Sequence, residues 1–413
     1  VALVVSAATV VPAPSAGGQE AARAAPLAPD DVPSPLSLAA AFEAARDRNL
    51  EYRAALLGRG LRESEVRTAG LLPNPDLSFE ASRDTPHKSL SLDVPIEIGK
   101  RGRRLALARE QLALADVDDR AALLALRRGV RSGFFALLAA EESASLARSM
   151  RDVAGRLLDA AQARFEAGAA PRLEVMQAEL GVARAQADLD LAEAGRGAAL
   201  AELNALLDRP PAAPLVLAPA EGEGPRLPSP EQAAATAAAG NAELLAAERE
   251  VAIEERRLSL FKAERLPTPV VSVGALFDAP GEFDVGGRAG LSLAVPLFSR
   301  NQGEIAGSLV RSSQAQLRRA SLRREVEARA YAALGRAAAQ RAQAESYRKT
   351  LLPTAVEIET LAEESYRLGR GTLVSVLEAQ RGLRDVRGEA TAARLAEQSA
   401  LADLEDVLGG PIE

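Results

Sequence analysis

Proline sets the outline of this chain. Its ring supplies no backbone N–H and clashes with the preceding turn, so it interrupts continued helix. Prolines are absent between Pro35 and Pro73, Pro95 and Pro171, Pro171 and Pro210, Pro230 and Pro267, Pro296 and Pro353, and Pro353 and Pro411. Those intervals are filled with Ala, Leu, Arg, Glu and Gln, the strongest helix formers. Residues 102–165 have room for one helix of roughly 95 Å at about 1.5 Å per residue. A helix that long is not stable by propensity alone, so the pattern predicts long helices packed lengthwise, as in a bundle or coiled coil. The apolar spacing agrees. Leu123, Leu126, Val130, Phe134 and Leu137 step by three or four, as do Met176, Leu180, Ala183 and Ala187, and again Leu200, Leu203 and Leu207. Ser37 and the pair Ser229-Pro230 are predicted helix starts. Asn49 and Asn241 are predicted breaks, because Asn tolerates the left-handed conformation.

Four stretches change period from about 3.6 to 2. Leu77, Phe79 and Ala81 alternate with Ser78, Glu80 and Ser82; Leu90, Leu92 and Val94 alternate with Ser89, Ser91 and Asp93. Val271, Val273, Ala275 and Phe277 share one face, and Leu291, Leu293 and Val295 alternate with Gly290, Ser292 and Ala294. The expected connections are 83–87 and 278–287, both short enough for hairpins. Each strand has room for about 9–11 residues, the length that crosses a bilayer within a barrel. Four strands cannot close a barrel, and lipid forbids an open edge. Spanning strands would therefore be shared between identical subunits. The alternative is a small soluble sheet at the end of a helical bundle, and alternation alone does not choose between them.

Composition removes most chemistry. Among 413 residues there is no Cys and one His, so thiolate sites, disulfides and multi-histidine metal sites are excluded. The net charge of −7 argues against nucleic acid as a partner. No GxxxxGK[ST] phosphate loop and no Ser–His–Asp spacing occurs, so no catalytic residue, cofactor or bound metal is expected and the chain is read as a non-enzyme. His87, in a predicted strand connection, is given no role. After residue 20 no apolar run of 18 residues or more occurs, so no transmembrane helix is predicted; that test does not reach a β-barrel. Residues 1–36, beginning VALVVSAATVVPAPSAGG, read as the remnant of a secretory signal peptide with a disordered Pro/Ala-rich lead, or as an Ala/Pro-rich tail.

The chain repeats itself. At an offset of 201, Ser91-Leu92 and Val94-Pro95 match Ser292-Leu293 and Val295-Pro296; Gly102 matches Gly303, and Gly168, Val175 and Ala178 match Gly369, Val376 and Ala379. Leu200, Leu203, Leu207 and Pro210 match Leu401, Leu404, Leu408 and Pro411. Each unit reads helix, strand, strand, long helix, turn, helix. The expected units are 37–210 and 229–411, joined by a Pro/Gly/Ala linker over 211–228.

In this order the motifs resemble the TolC-type outer membrane efflux channels, also called outer membrane factors. The residues that carry the resemblance are Arg48-Asn49-Leu50 at the helix break, Leu72-Pro73-Asn74-Pro75 before the first strand, and Gly369 followed by Val376-Leu377-Glu378-Ala379-Gln380 at a helical turn. A fainter copy is Gly168 followed by Val175-Met176-Gln177-Ala178. Two further stretches, Glu97-Ile98-Gly99-Lys100-Arg101 and Val295 through Gly303, resemble the heavy-metal branch.

The resemblance implies a mainly α, internally duplicated protein with a small β part. Long antiparallel helical hairpins would form a periplasmic tunnel, and four transmembrane strands per copy would enter a trimeric twelve-stranded barrel in the bacterial outer membrane. It implies passive conduction of heavy-metal cations within a tripartite assembly whose partners are a periplasmic adaptor and an inner-membrane RND pump. A drug or polypeptide cargo, or a periplasmic coiled-coil scaffold, is the alternative. The turns with Gly168, Ala169, Gly369, Arg370 and Gly371 would meet the adaptor. Glu174, Gln177, Ser375 and Glu378 would stand near the tunnel mouth as gate candidates; the first acid of the second copy is replaced by Ser375 and the second acid of the first copy by Gln177, so a full double acidic ring is not expected. Glu80 and Asp93 would face the barrel lumen, and Leu77, Phe79, Leu90 and Leu92 the lipid.

Overall fold

A computed structural model describes residues 35–219, 225–281, 283–368 and 370–412. The segment 1–34, on which the export-signal expectation falls, and Gly369 lie outside the described residues. The chain runs α1 (Leu38–Arg48), α2 (Leu50–Gly70), β1 (Asp76–Ala81), β2 (Lys88–Pro95), α3 (Lys100–Glu166) and α4 (Arg172–Leu206). It continues with α5 (Pro230–Gly240), α6 (Ala242–Glu264), β3 (Pro269–Ala279), β4 (Phe283–Leu293), α7 (Gln302–Ser346), a π-turn (Tyr347–Leu351), α8 (Leu352–Arg367) and α9 (Leu373–Leu408). Helix α3 has 67 residues and is about 100 Å long.

The caps form as the sequence predicts at both serines. Ser37 accepts from Ala40 N at 3.2 Å. Ser229 and Gln232 make a reciprocal capping box with Pro230 at the first turn. Three expectations need correction. Asn49 and Asn241 do break their helices, but neither is left-handed (φ −57° and −61°). Each is the N-cap of the next helix, accepting from Tyr52 N at 2.9 Å and Leu244 N at 3.1 Å. Pro353 does not end a helix. The π-turn just before it widens the backbone, which accommodates a missing N–H and a ring, and the helical path continues from Gln302 to Arg367. Finally, β4 begins at Phe283 and not at 288. Gly286 and Gly287 look like loop residues, yet they pair with Leu276 and Ala275. The first hairpin forms where the alternation placed it, with strands of six and eight residues against the expected 76–82 and 88–94.

The core sits midway along the long helices, where the short helices add a layer. Under α1, Ala41 and Ala45 pack on Val130, Phe134 and Leu137 of α3 and Leu203 of α4. Under α5, Ala233 and Ala237 pack on Val326 and Ala330 of α7 and Leu401 of α9. The alanines let the helices approach closely, and each fully buried Leu or Phe contributes about 1.5–3 kcal/mol. Each leading helix is also stitched to the end of its repeat. Asn49 Nδ2 donates to Leu206 O at 3.1 Å and Asn241 Nδ2 to Val407 O at 3.0 Å. Gly409 (φ +78°) follows α9, where a Cβ would lie 2.0 Å from Gly240 O, so only glycine fits there. Leu36 and Leu217 form a parallel bridge, which ties part of the inter-repeat segment to the start of α1.

Candidate functional site

The four strands form one antiparallel sheet in the order β1-β2-β3-β4. Directly opposite residues share a face. One face is apolar: Leu77 faces Leu92, Phe79 faces Leu90, Leu92 faces Val273 and Val271 faces Leu291. The other is polar: Ser78 faces Ser91, their hydroxyls 2.7 Å apart, and Gly274 faces Arg288. Glu80 lies on the polar face opposite Ser89, and Asp93 between Asp76 and Ser272. Among the described residues no helix packs closely on either face, so apolar side chains stand open, Leu291 to 73%. The outer edges of β1 and β4 have no strand beside them.

The helices next to the sheet form a curved wall in the order α2, α3, α6, α7. An open cavity of about 420 Å³ touches all four, with Arg62, Asp118, Glu254 and Arg311 among its lining. A surface reached from both edges of a row is its concave side. Charges on that side are largely paired: Glu254 accepts from Arg257 and from Arg311, the latter at 3.3 Å. The two edge helices each carry an uncovered apolar stripe at seven-residue spacing, Leu50 and Leu57 with Leu61 on α2, and Val310, Leu317 and Tyr331 on α7. Leu57 and Leu317 are each 72% exposed. Farther from the sheet the order is α4, α3, α9, α8, and the edges again carry exposed apolar residues, Leu173 and Leu180 on α4, Ile358 and Leu361 on α8.

At the far end the hairpins turn. Gly168 is left-handed (φ +73°), and Ala169 N and Gly168 N donate to Arg164 O and Phe165 O, the Schellman pattern. In the second turn Arg370 N and Gly371 N both donate to Ser365 O, and Thr372 caps α9 through Ser375 N. The four gate candidates have different surroundings. Glu174 is mostly covered and pairs with Arg164 at 3.3 Å. Gln177 and Glu378 are exposed, and the Ser375 hydroxyl is turned back onto Thr372 O at 2.7 Å. Among the described residues no ion pair or hydrogen bond joins the four to one another. Nearby, burial and the Glu363 carboxylate push Glu359 above the ordinary carboxylate range, against the pull of Arg387.

Sequence reasoning missed the contacts that hold the two hairpins together. Arg131 on α3 meets Glu405 on α9 at 2.7 Å, both side chains mostly covered. Glu142 on α3 receives Thr391 and Arg394 of α9 at 3.1 Å, and Arg384 on α9 approaches Asp188 on α4 at 3.4 Å. These partners stand some 190–275 residues apart in the chain, so no local pattern signals them.

The fold is therefore an open four-stranded sheet with one apolar and one polar face, continued by long helices of which α3 is about 100 Å. The comparisons agree. Residues 41–209 match the family model for outer membrane efflux proteins. The cobalt-zinc-cadmium resistance protein CzcC of Cupriavidus metallidurans is 29% identical over 370 residues, 88% of this chain and 87% of that protein. The pyoverdine export outer membrane protein OpmQ of Pseudomonas aeruginosa is 27% identical over 361 residues, 84% of this chain and 75% of that one. A crystal structure of CusC, described in terms of transmembrane channel formation, superimposes with a TM-score of 0.74 at 16% identity, over 90% of this chain and 92% of that one, which shows the shared fold. The chain thus resembles outer membrane efflux proteins, by the family model over residues 41–209 and by CzcC over most of its length, and it shares the fold of CusC.

Proposed function

We propose that three copies close a twelve-stranded barrel and a helical tunnel, and that this pore conducts heavy-metal cations outward from the periplasm. The observation that carries the reading is the pair of unfinished edges. β1 and β4 both lack a neighbour, and α2 and α7 both expose apolar stripes on the sides facing away from the wall. A head-to-tail contact, β4 and α7 of one copy on β1 and α2 of the next, satisfies both edges at once, and such a contact closes into a ring when the rotation allows. Single-chain bacterial barrels run from about eight strands upward in even numbers; three copies supply twelve and one copy falls short. The apolar face then meets lipid and the polar face, with Glu80 and Asp93, the lumen.

Conduction needs no chemistry from the chain. The paired charges on the concave wall leave no strong site to trap an ion, and passage requires binding weak enough for release. Energy comes from partners: an inner-membrane RND pump, reached through a periplasmic adaptor that meets the Gly168–Ala169 and Gly369–Gly371 turns. Near those turns Glu378, exposed and threefold repeated, is the gate carboxylate, with Gln177 and Ser375 as neutral companions. Glu174, already paired with Arg164, contributes less. The two units of the duplicated architecture, 37–210 and 229–411, each supply one hairpin and two strands. The extent of similarity to CzcC supports metal cargo; the comparable similarity to OpmQ supports an organic cargo as the second reading.

Two measurements test this. Extraction from membranes in detergent, followed by imaging, is expected to give an elongated hollow trimer, and planar bilayers a conducting pore. A monomer that stays in buffer without detergent refutes the assembly. For cargo, deletion in the native host is expected to raise sensitivity to cobalt, zinc or cadmium salts; unchanged metal tolerance with loss of export of an organic compound selects the second reading.

A further inference from the structure

The apolar alternation of the sheet does not stop where its ladder does. Ile96 N still donates to Pro269 O at 2.8 Å. Ile96 and Ile98 keep the phase of Leu92 and Val94, and Val295 and Leu297 keep that of Leu291 and Leu293. All four are exposed, and Phe298 beside them is 90% exposed. Immediately beyond, the charge reverses. Residues 95–104, 262–268 and 295–304 hold seven Lys and Arg against three Glu, in a chain whose net charge is −7. Some of these cations serve the fold: Lys100 Nζ donates to Thr268 Oγ1 at 2.6 Å, Arg104 forks onto Glu97, and Arg101 reaches Gly70 O. Arg103, Arg265 and Arg300 are exposed, and no carboxylate lies against their side chains among the described residues. Arg103 and Arg300 stand near the positive starts of α3 and α7, where a cation is unfavourable, so helix stability does not account for them; Arg265, at the C-cap of α6, does complement its helix end.

We propose that this collar binds the phosphate headgroups of anionic phospholipids in the leaflet nearest the helices. The proposal rests on the membrane reading above. The apolar row is continuous with the lipid-facing side of the sheet, and the cations follow at the level where acyl chains give way to headgroups. An apolar band ending in Lys and Arg is the arrangement that anchors proteins at that boundary. Each such cation is worth about fivefold in partitioning to an anionic surface, and the trimer repeats each three times.

The test uses the detergent-solubilised trimer and compares phosphatidylglycerol with phosphatidylcholine of the same acyl chains, by retained lipid in native mass spectrometry and by melting temperature. The wild type is expected to retain more phosphatidylglycerol and to melt higher in it. R103Q/R265Q/R300Q is expected to lose that preference, about fivefold per cation, while keeping the trimer. If the triple variant does not assemble, the single substitutions are each expected to show their own fivefold loss. The preference is also expected to fade at high salt, which screens exposed charges, and inorganic phosphate is expected to give no matching shift. Equal retention of the two lipids by the wild type, or an undiminished preference in the variants, overturns the collar while leaving the channel intact. A wild type soluble without detergent overturns the membrane reading itself.

Discussion

Asn241 offers a graded test of how each repeat is stitched. Its side chain is 5% exposed and makes two bonds of different kinds: Oδ1 accepts from Leu244 N at 3.1 Å, and Nδ2 donates to Val407 O at 3.0 Å. The first caps α6. The second satisfies a carbonyl in the last turn of α9, where no intrahelical donor exists. Serine keeps a cap acceptor but cannot reach Val407, so Asn241→Ser strands that carbonyl at a cost of about 1–3 kcal/mol. Alanine also removes the cap, for about 1 kcal/mol more. Thermal unfolding followed by circular dichroism, at fixed protein and detergent concentration because assembly couples to stability, is expected to rank wild type above Asn241→Ser above Asn241→Ala. Asn49→Ser, which strands Leu206 O, is expected to behave alike. If Asn241→Ser melts with the wild type, the bond across to α9 contributes nothing and the asparagine is a cap alone.

Four further outcomes are expected. Glu405→Leu leaves Arg131 nearly buried without its charge partner and should destabilise by about 3 kcal/mol, while Arg131→Met with Glu405→Leu should recover most of the loss; a double variant no better than the single, by melting temperature, contradicts this. Leu317→Glu places a charge in the proposed α7 seam and should shift trimer to monomer in native mass spectrometry; an unshifted trimer contradicts the seam. In planar bilayers Glu378→Gln should weaken block by divalent cations, and Glu174→Gln, already paired, should change it less; equal effects remove Glu378 from the gate. Asp406 is held above the ordinary aspartate range by burial first, opposed by Arg128 and reinforced by Asp403 and Glu243. Its native state therefore binds the proton more tightly than the unfolded state, and stability falls as pH rises from about 3.9 through the raised value. Asp406→Asn should flatten melting temperature against pH in that window, and an unchanged slope refutes the assignment.

Much of this architecture follows from local rules. The alternation of Leu77 and Phe79 with Ser78 and Glu80 already assigns two faces, because a strand has period two. Ser37 and Ser229 mark helix starts because their oxygens reach an N–H three residues on. The misreadings share one form, a residue's usual preference overridden by what stands beside it in the fold. Gly286 and Gly287 enter β4 because Leu276 and Ala275 hold them in the ladder. Pro353 is carried within a helix because the preceding π-turn makes room. Asn49 and Asn241 are retained for a donor that reaches the far end of the repeat, not for a left-handed backbone.

The duplication sharpens the same point at the gate candidates. Equivalent positions keep their backbone and change their chemistry. Asn204 donates to Pro211 O and Ala213 O, while its counterpart Glu405 accepts from Ile412 N and takes Arg131. Glu174 is tied to Arg164, while its counterpart Ser375 bonds its own helix start. Gln177 is neutral where Glu378 is charged. Repetition therefore fixes where a side chain stands without fixing what it meets. In the proposed trimer, a gate built from these positions would have one carboxylate without an ion-pair partner per copy, at Glu378, and its field would come from the threefold axis, not from pairing between the repeats.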